Sequence, residues 1–353
     1  MNVRASFAVL LASCVAPSLV TGQTSDSAVR VTTDALELEI GGRLHTQFNT
    51  TSIDGLPSSE LFIRRARIEF SATLGERVSA VLQPEFGGDQ VSLRDAYVAF
   101  ELTPELTFMA GNAYRPFGLL EQTSSKRILP IERGLRIRGL QALDEYAVVS
   151  GLDYSDRDIG VQLSGSFEDG IDFRAGVFRG PLHGSVGANS SYQYAARVTG
   201  AVTPDLRLGA GWSNRDFAAG AGAGLELQRG NAFEIDMEYG GFVPGLHVLA
   251  EIASGDVNPF TDDRFYGAQA WIAYRTEPID ETYVMLEPLL RVSYSDLGID
   301  GVPATQRGGT LLTPGFAVYF GPLNRLALNY DIWWSEGTTV DANSFKVMFQ
   351  VGF

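Results

Sequence analysis

From about Leu38 to the end, the chain alternates apolar and polar residues in segments of about ten residues, each closed by a polar break. The last segment is the clearest. Phe345, Val347, Phe349, Val351 and Phe353 share one face, and Lys346, Met348, Gln350 and Gly352 share the other. A period of two sets one face against an apolar medium and the other against a wetter one. The segment before it repeats the arrangement: Leu326, Leu328, Tyr330, Ile332 and Trp334 stand opposite Arg325, Ala327, Asn329, Asp331 and Trp333. Segments 159–167, 171–178, 192–202, 206–212, 233–239, 246–252, 266–274, 284–294 and 312–320 read the same way. Some are joined by short turn signals, such as Thr203-Pro204-Asp205, Glu168-Asp169-Gly170 and Gly321-Pro322-Leu323-Asn324. Others are joined by longer stretches, at 180–190, 256–263 and 298–308, and glycine-rich 218–224 also reads as a loop.

Short turns alternating with long loops is the asymmetry of an outer-membrane barrel. The pattern predicts an all-β fold, a transmembrane antiparallel β-barrel of sixteen strands. Segment 146–154 is ambiguous and is assigned to a long loop, because closed bacterial barrels usually have an even strand number. Closure satisfies every backbone group within lipid and removes unpaired edges. Trp333, Trp334, Tyr319, Phe320, Tyr239 and Phe242 are expected in the aromatic girdles at the two interfaces. A soluble β-sandwich also alternates, but the strand number, terminal Phe353 and an export leader weigh against it.

That leader is residues 1–23. Arg4 precedes an apolar stretch from Ala5 to Val20, followed by Thr21, Gly22 and Gln23, the layout of a cleaved signal peptide. A lipobox reading of Leu11-Ala12-Ser13-Cys14 competes with it. Residues 24–37 then form a short amino-terminal extension and 38–353 the barrel, with a pore-constricting loop within 114–156. Cys14 is the only cysteine, so cleavage beyond it leaves no thiol for a disulfide, a nucleophile or a zinc site. No other stretch reaches the roughly 18 apolar residues of a transmembrane helix.

The formal charge of −15 argues against a nucleic-acid partner. The basic residues are almost all arginine, with Lys126 and Lys346 the only lysines. Parity assigns lumen positions: Arg65, Arg67 and Glu69 on one strand, then Arg174, Arg197 and Arg207 on three consecutive later ones. Glu234, Asp236, Glu238, Glu251, Arg291, Arg325, Asp331 and Lys346 complete the set. Arg64 has lipid-facing parity. It must lie near an interface, at a bulge or in a loop end, since a charge at mid-depth costs about 2–4 kcal/mol. Two readings of the arginines stay open: a track that replaces an anion's hydration, or wall bracing by ion pairs with the acids.

Several ordered motifs carry a family resemblance. Phe62-Ile63-Arg64-Arg65-Ala66-Arg67-Ile68-Glu69-Phe70 resembles the early strand of the phosphate-selective porins of the O/P type. Leu93-Arg94-Asp95-Ala96-Tyr97 is similar to that family's following strand, and Gly111-Asn112-Ala113-Tyr114-Arg115-Pro116-Phe117-Gly118 to its Pro-Phe-Gly segment. Thr123-Ser124-Ser125-Lys126 and Ile131-Glu132-Arg133 resemble the loop that folds into the pore, and Arg157-Asp158-Ile159-Gly160-Val161 resembles the strand restart. The resemblance implies a trimeric barrel whose eyelet holds anions, with Arg64 and Arg65 as eyelet arginines and Lys126 as the loop lysine. The acidity of this chain and its scarcity of lysine depart from that pattern.

The expected function is an outer-membrane porin for passive diffusion of small solutes, anions such as phosphate among them. The anion-binding or pore-lining candidates are Arg64, Arg65, Arg67, Lys126, Arg174, Arg197 and Arg207, and the other partners expected are outer-membrane lipid and lipopolysaccharide. Alternatives are a general or cation-preferring pore, a barrel enzyme and a structural barrel. No enzymatic activity, cofactor or metal is expected: His45, His183 and His247 lack ligand spacing, and no G-x-S-x-G elbow is present. Asp256, Asp262 and Asp263 lack EF-hand spacing and read as solvated loop charge.

Overall fold

The computed structural model describes residues 29–353 apart from 89–90, 139, 141–143, 168–169, 184–190, 221–224, 280–282, 299–307 and 336–340. The expected leader at 1–23, the turn residues Glu168 and Asp169, and most of the glycine-rich loop therefore lie outside the described residues.

The strands are β1 (Val29–Thr32), β2 (Leu36–Ile53), β3 (Leu56–Leu74), β4 (Val78–Glu85), β5 (Ser92–Thr103), β6 (Leu106–Tyr114), β7 (Arg157–Ser166), β8 (Ile171–Phe178) and β9 (Gln193–Thr203). They continue as β10 (Leu206–Ala219), β11 (Glu226–Tyr239), β12 (Gly245–Asn258), β13 (Asp263–Arg275), β14 (Val284–Gly298), β15 (Gly308–Phe320), β16 (Arg325–Ser335) and β17 (Asp341–Gly352). Each of β2 to β17 pairs antiparallel with its sequence neighbours, and β17 pairs with β2. The wall is thus the closed sixteen-stranded barrel that the alternation predicts. β1 is an addition within the expected amino-terminal extension. It pairs with residues 37–40 of β2, below the point where β17 ends.

The period-two pattern is visible directly. On β2, Arg43, His45, Gln47 and Asn49 are buried inside, while Leu44 and Phe48 are exposed outside. On β17, Lys346, Met348 and Gln350 face in, and Phe345, Phe349 and Val351 face out. The outward set meets hydrocarbon, so its exposure is a lipid contact rather than a cost. At the end carrying the termini, the connections 75–77, 104–105, 204–205 and 321–324 are short. The opposite end carries longer ones, although Asp54-Gly55 there makes a two-residue hairpin. Both residues have positive φ (49° and 79°), the turn that suits the strand twist.

The longest connection, 115–156, folds into the barrel. It contains α1 (Leu119–Gln122) and α2 (Glu145–Gly151). Segment 146–154 therefore lies outside the wall, as expected, but residues 146–151 of it are helical. α1 packs on β12, and α2 on β13 and β14. Leu120, Ile128 and Leu129 join Leu249, Trp271 and Leu289 in one apolar cluster, and Ile131 joins Met285, Tyr319 and Met348 in another. Phe117, Val148, Val149 and Tyr154 pack with Ala253, Phe265 and Leu297. The inward face of β11–β17 is consequently apolar where this loop docks.

This revises the girdle expectation. Trp334, Phe320 and Tyr239 are exposed on the outer face, but Trp333 and Tyr319 are buried and Phe242 packs inward. The inward aromatics cover the loop instead of anchoring the lipid interface.

Candidate functional site

The loop carries few regular hydrogen bonds of its own, so its buried backbone must find partners elsewhere. Inward side chains of the wall supply them. Arg325 donates to the carbonyls of Ile128 (2.8 Å) and Leu129 (3.1 Å), and Arg291 to that of Glu132 (2.8 Å). Asn329 accepts from the Ile131 N–H at 2.6 Å, Gln269 donates to the Arg133 carbonyl at 2.9 Å, and Gln350 to that of Lys126 at 3.0 Å. The polar wall residues among the apolar clusters are therefore loop receptors.

Docking the loop on β11–β17 leaves open space on the other side. A cavity of about 550 Å³ lies between the loop and β3–β10, reaching toward the end with short turns. Its lining includes four of the seven sequence candidates, Lys126, Arg174, Arg197 and Arg207, together with Arg127, Tyr97, Tyr114 and Phe173. It also includes Glu69, Asp95, Glu105, Asp172 and Glu238.

The arginines in this cavity differ in how they are held. Arg197 on β9 reaches across β10 to grip Glu234 and Asp236 on β11, with one of these bonds at 2.8 Å. The crossing is possible because Gly209 and Gly211 stand between them: a Cβ at either would collide with the acidic side chains. Arg207 pairs with Asp172 and donates to Thr199 at 3.1 Å. Arg174 is half-buried and donates to Gln122 of α1; among the described residues no carboxylate lies at ion-pair distance from it.

The other three candidates lie behind the loop. His45 pairs with Arg65 and Thr46 with Ile63, so Arg64 is the extra residue of a β-bulge. That bulge resolves its lipid-facing parity by turning its side chain inward. Arg64 donates to the two oxygens of Glu132 at 2.5 and 3.0 Å, and Arg65 approaches the same carboxylate at 3.7 Å. Arg67 pairs with Glu85. Burial pushes the Glu132 carboxyl up, but Arg64 and Arg65 outweigh it and hold the group well below the usual carboxylate range.

The far end of the loop is the opposite case. Glu145 is buried and faces Glu251 on β12, with Glu234 and Asp144 also near. Burial first, then Glu251, raises its pKa well above the usual range. Burial likewise pushes the Asp144 carboxyl up to about 6, although Arg291 opposes the rise.

Bracing thus accounts for most lumen arginines. Arg291 and Lys346 both bond Asp331, at 2.8 and 2.5 Å, and Arg275 bonds Glu287 at 2.7 Å. Sequence parity missed Arg43, which donates to Ser125 of the loop at 2.5 Å, and the pairing role of Glu132. Arg43 was detectable, since it shares the inward parity of His45, Gln47 and Asn49, opposite outward Leu44. Asp256, expected as solvated loop charge, lies instead in β12, where it accepts the Asn231 N–H at 2.7 Å and pairs with Arg264 at 3.1 Å, a structural role.

The family described as phosphate-selective porin O and P matches residues 38–238. The chain belongs to that family. It is a porin of the outer membrane, and the structural relatives share its fold. The anion-selective porin from Comamonas acidovorans is 13% identical with a TM-score of 0.64, covering 90% of this chain and 100% of its own. The outer membrane channel DcaP of Acinetobacter baumannii is 11% identical with a TM-score of 0.62, covering 91% and 99%. The trimer form of OmpT, an outer membrane protein of Vibrio cholerae, is 14% identical with a TM-score of 0.57, covering 91% and 100%. A search of the curated proteins finds no match. In a porin the short turns face the periplasm, so the cavity described above is the periplasmic half of the lumen.

Proposed function

We propose that this porin passes small anions, phosphate among them, and that Arg174, Arg207 and Lys126 are the cationic groups a permeant ion meets in the periplasmic half of the lumen. The observation that carries this reading is the cavity lining, where Arg174 reaches open space with an amide as its hydrogen-bond partner among the described residues. A guanidinium there offers charge-assisted donors to an oxyanion that has lost part of its water. The membership in a phosphate-selective family points the same way, as does the anion selectivity of the Comamonas relative. Arg197 contributes less, because Glu234 and Asp236 already hold its donors.

The loop 115–156 is the constriction in this reading. It fills the β11–β17 side of the lumen and leaves the solute the β3–β10 side. The working assembly is a homotrimer set in outer-membrane lipid and lipopolysaccharide, by analogy with the trimer form of Vibrio OmpT. Transport is diffusion without covalent chemistry.

A second reading has its own observation. Glu105 and Glu238 also line the cavity, and among the described residues no cation reaches ion-pair distance of either. They favour a general or cation-preferring pore. The reversal potential in a planar bilayer under a potassium chloride gradient separates the two. Anion selectivity, with chloride current blocked by added phosphate, supports the first; cation selectivity without block supports the second. Normal phosphate uptake at limiting concentration in a deletion strain would exclude a physiological phosphate role.

A further inference from the structure

The geometry points to Glu132 as a specificity-determining residue: its carboxylate occupies, as a tethered counter-ion, the place in the Arg64–Arg65 fork that a permeant oxyanion would take. This rests on the anion-preferring reading above and deepens it, because it says why the fork is not an open anion site.

The contact has the form of ligand recognition. Arg64 presents Nε and Nη2 to separate oxygens of one carboxylate, at 2.5 and 3.0 Å, the edge-on geometry by which guanidinium groups hold carboxylate or phosphate. Arg65 stands on the second oxygen at 3.7 Å, and its buried Nε has no hydrogen-bond partner among the described residues. The fork therefore has more donor capacity than Glu132 uses. Its charge is also unbalanced, since two guanidinium groups share one carboxylate.

Glu132 is delivered by the loop, and its backbone has anchors outside the fork as well. Its carbonyl accepts from Arg291 at 2.8 Å, and the neighbouring Ile131 N–H is held by Asn329 at 2.6 Å. A carboxylate fixed this way competes with a free anion at a high effective concentration, on the order of millimolar or more. An anion from solution can occupy the fork only by displacing it. The bulge that turns Arg64 inward and the loop that brings Glu132 are separate elements, β3 and 115–156, brought together at this site.

A brace and a tethered ion differ in what replaces them. A brace is lost with its side chain, whatever is in solution. A tethered ion can be substituted by a free one. Glu132→Ala and Glu132→Gln barrels are compared with wild type in planar bilayers under a potassium chloride gradient, with inorganic phosphate titrated into the bath. Both variants are expected to move the reversal potential toward anions relative to wild type. Phosphate is expected to block their chloride current at roughly tenfold lower concentration. Reversal potential and phosphate block unchanged from wild type in both variants would overturn the proposal. The sign of the wild-type potential tests the anion reading separately, because the proposal concerns only the difference between variant and wild type. If a variant does not refold in chloride, it is refolded in phosphate: recovery there supports a replaceable counter-ion, and failure in both salts overturns it.

Discussion

Glu132 and Glu145 sit on the same loop, are both buried, and have opposite fates. Glu132 enters a cage of arginines and stays charged. Glu145 enters a row of acids, Glu251, Glu234 and Asp144, and is driven toward the neutral form. Burial disfavours charge at both ends. The sign of the neighbours decides the outcome, and those neighbours come from different stretches of the wall: β3 at one end, β11 and β12 at the other. The loop is therefore held by charge pairing at its middle, while at α2 it docks with Glu145 driven toward the neutral form.

The same substitution should separate the two ends most sharply. Glu132→Gln in chloride leaves Arg64 and Arg65 buried without their counter-charge and should cost about 3–5 kcal/mol. Glu145→Gln should be neutral or stabilising, since it makes permanent the uncharged state that the site prefers. Urea unfolding of both variants in detergent micelles checks this; equal losses would break the comparison.

Acidity should act on the two ends in opposite directions. Glu132 has a depressed pKa, so its contribution is complete at neutral pH and is lost only in strong acid. Asp144 and Glu145 have raised values, so the docked loop binds more protons than the undocked one. Docking at that end is then strongest in acid and weakens as pH rises, between about 4 and about 6 for Asp144 and higher for Glu145. For Asp144 alone the change amounts to roughly 3 kcal/mol between its limits. Amide exchange of 145–151, followed across pH and corrected for intrinsic rates, should accelerate with rising pH, while that of 128–133 should not.

Gly267 on β13 sharpens the same point sterically. A Cβ there would meet the Glu145 side chain at 2.7 Å. Gly267→Ala should lift α2 by crowding and cost about 1–3 kcal/mol. Emission from buried Trp271, which sits under the loop, should report the shift. The smallest effect is expected at Arg174→Gln. It should move the reversal potential toward cations and leave unfolding unchanged within about 0.5 kcal/mol.

The wall was legible in the sequence because a period of two is a local property. Phe345 to Phe353 announce their own pairing and their own lipid face. Arg64 was legible as a conflict, and its bulge is how the chain resolves it. The loop's position was not legible, because docking depends on which inward residues happen to face it. The signal was present in part. Leu249, Trp271, Leu289 and Met348 occupy inward positions that a water-filled lumen does not require, and all four lie on β12, β13, β14 and β17. An apolar run on the wet register of neighbouring strands marks where something docks inside. The pairing of Glu132 with Arg64 had no sequence signal, since the two residues belong to elements that meet only when the loop turns back.

The pairing of β17 with β2 has a further consequence. Gly42 and Phe353 exchange backbone hydrogen bonds of 2.7 and 3.1 Å, so the two ends of the barrel chain lie side by side. The wall is a ring that happens to be cut there. Its seam joins the parts of the chain farthest apart in sequence and needs the last strand to be made, so it is the slowest contact to gain and the natural final step of assembly. The same seam is where a permuted barrel could be sealed by a short linker and reopened at a surface loop, with every lumen residue kept in its register.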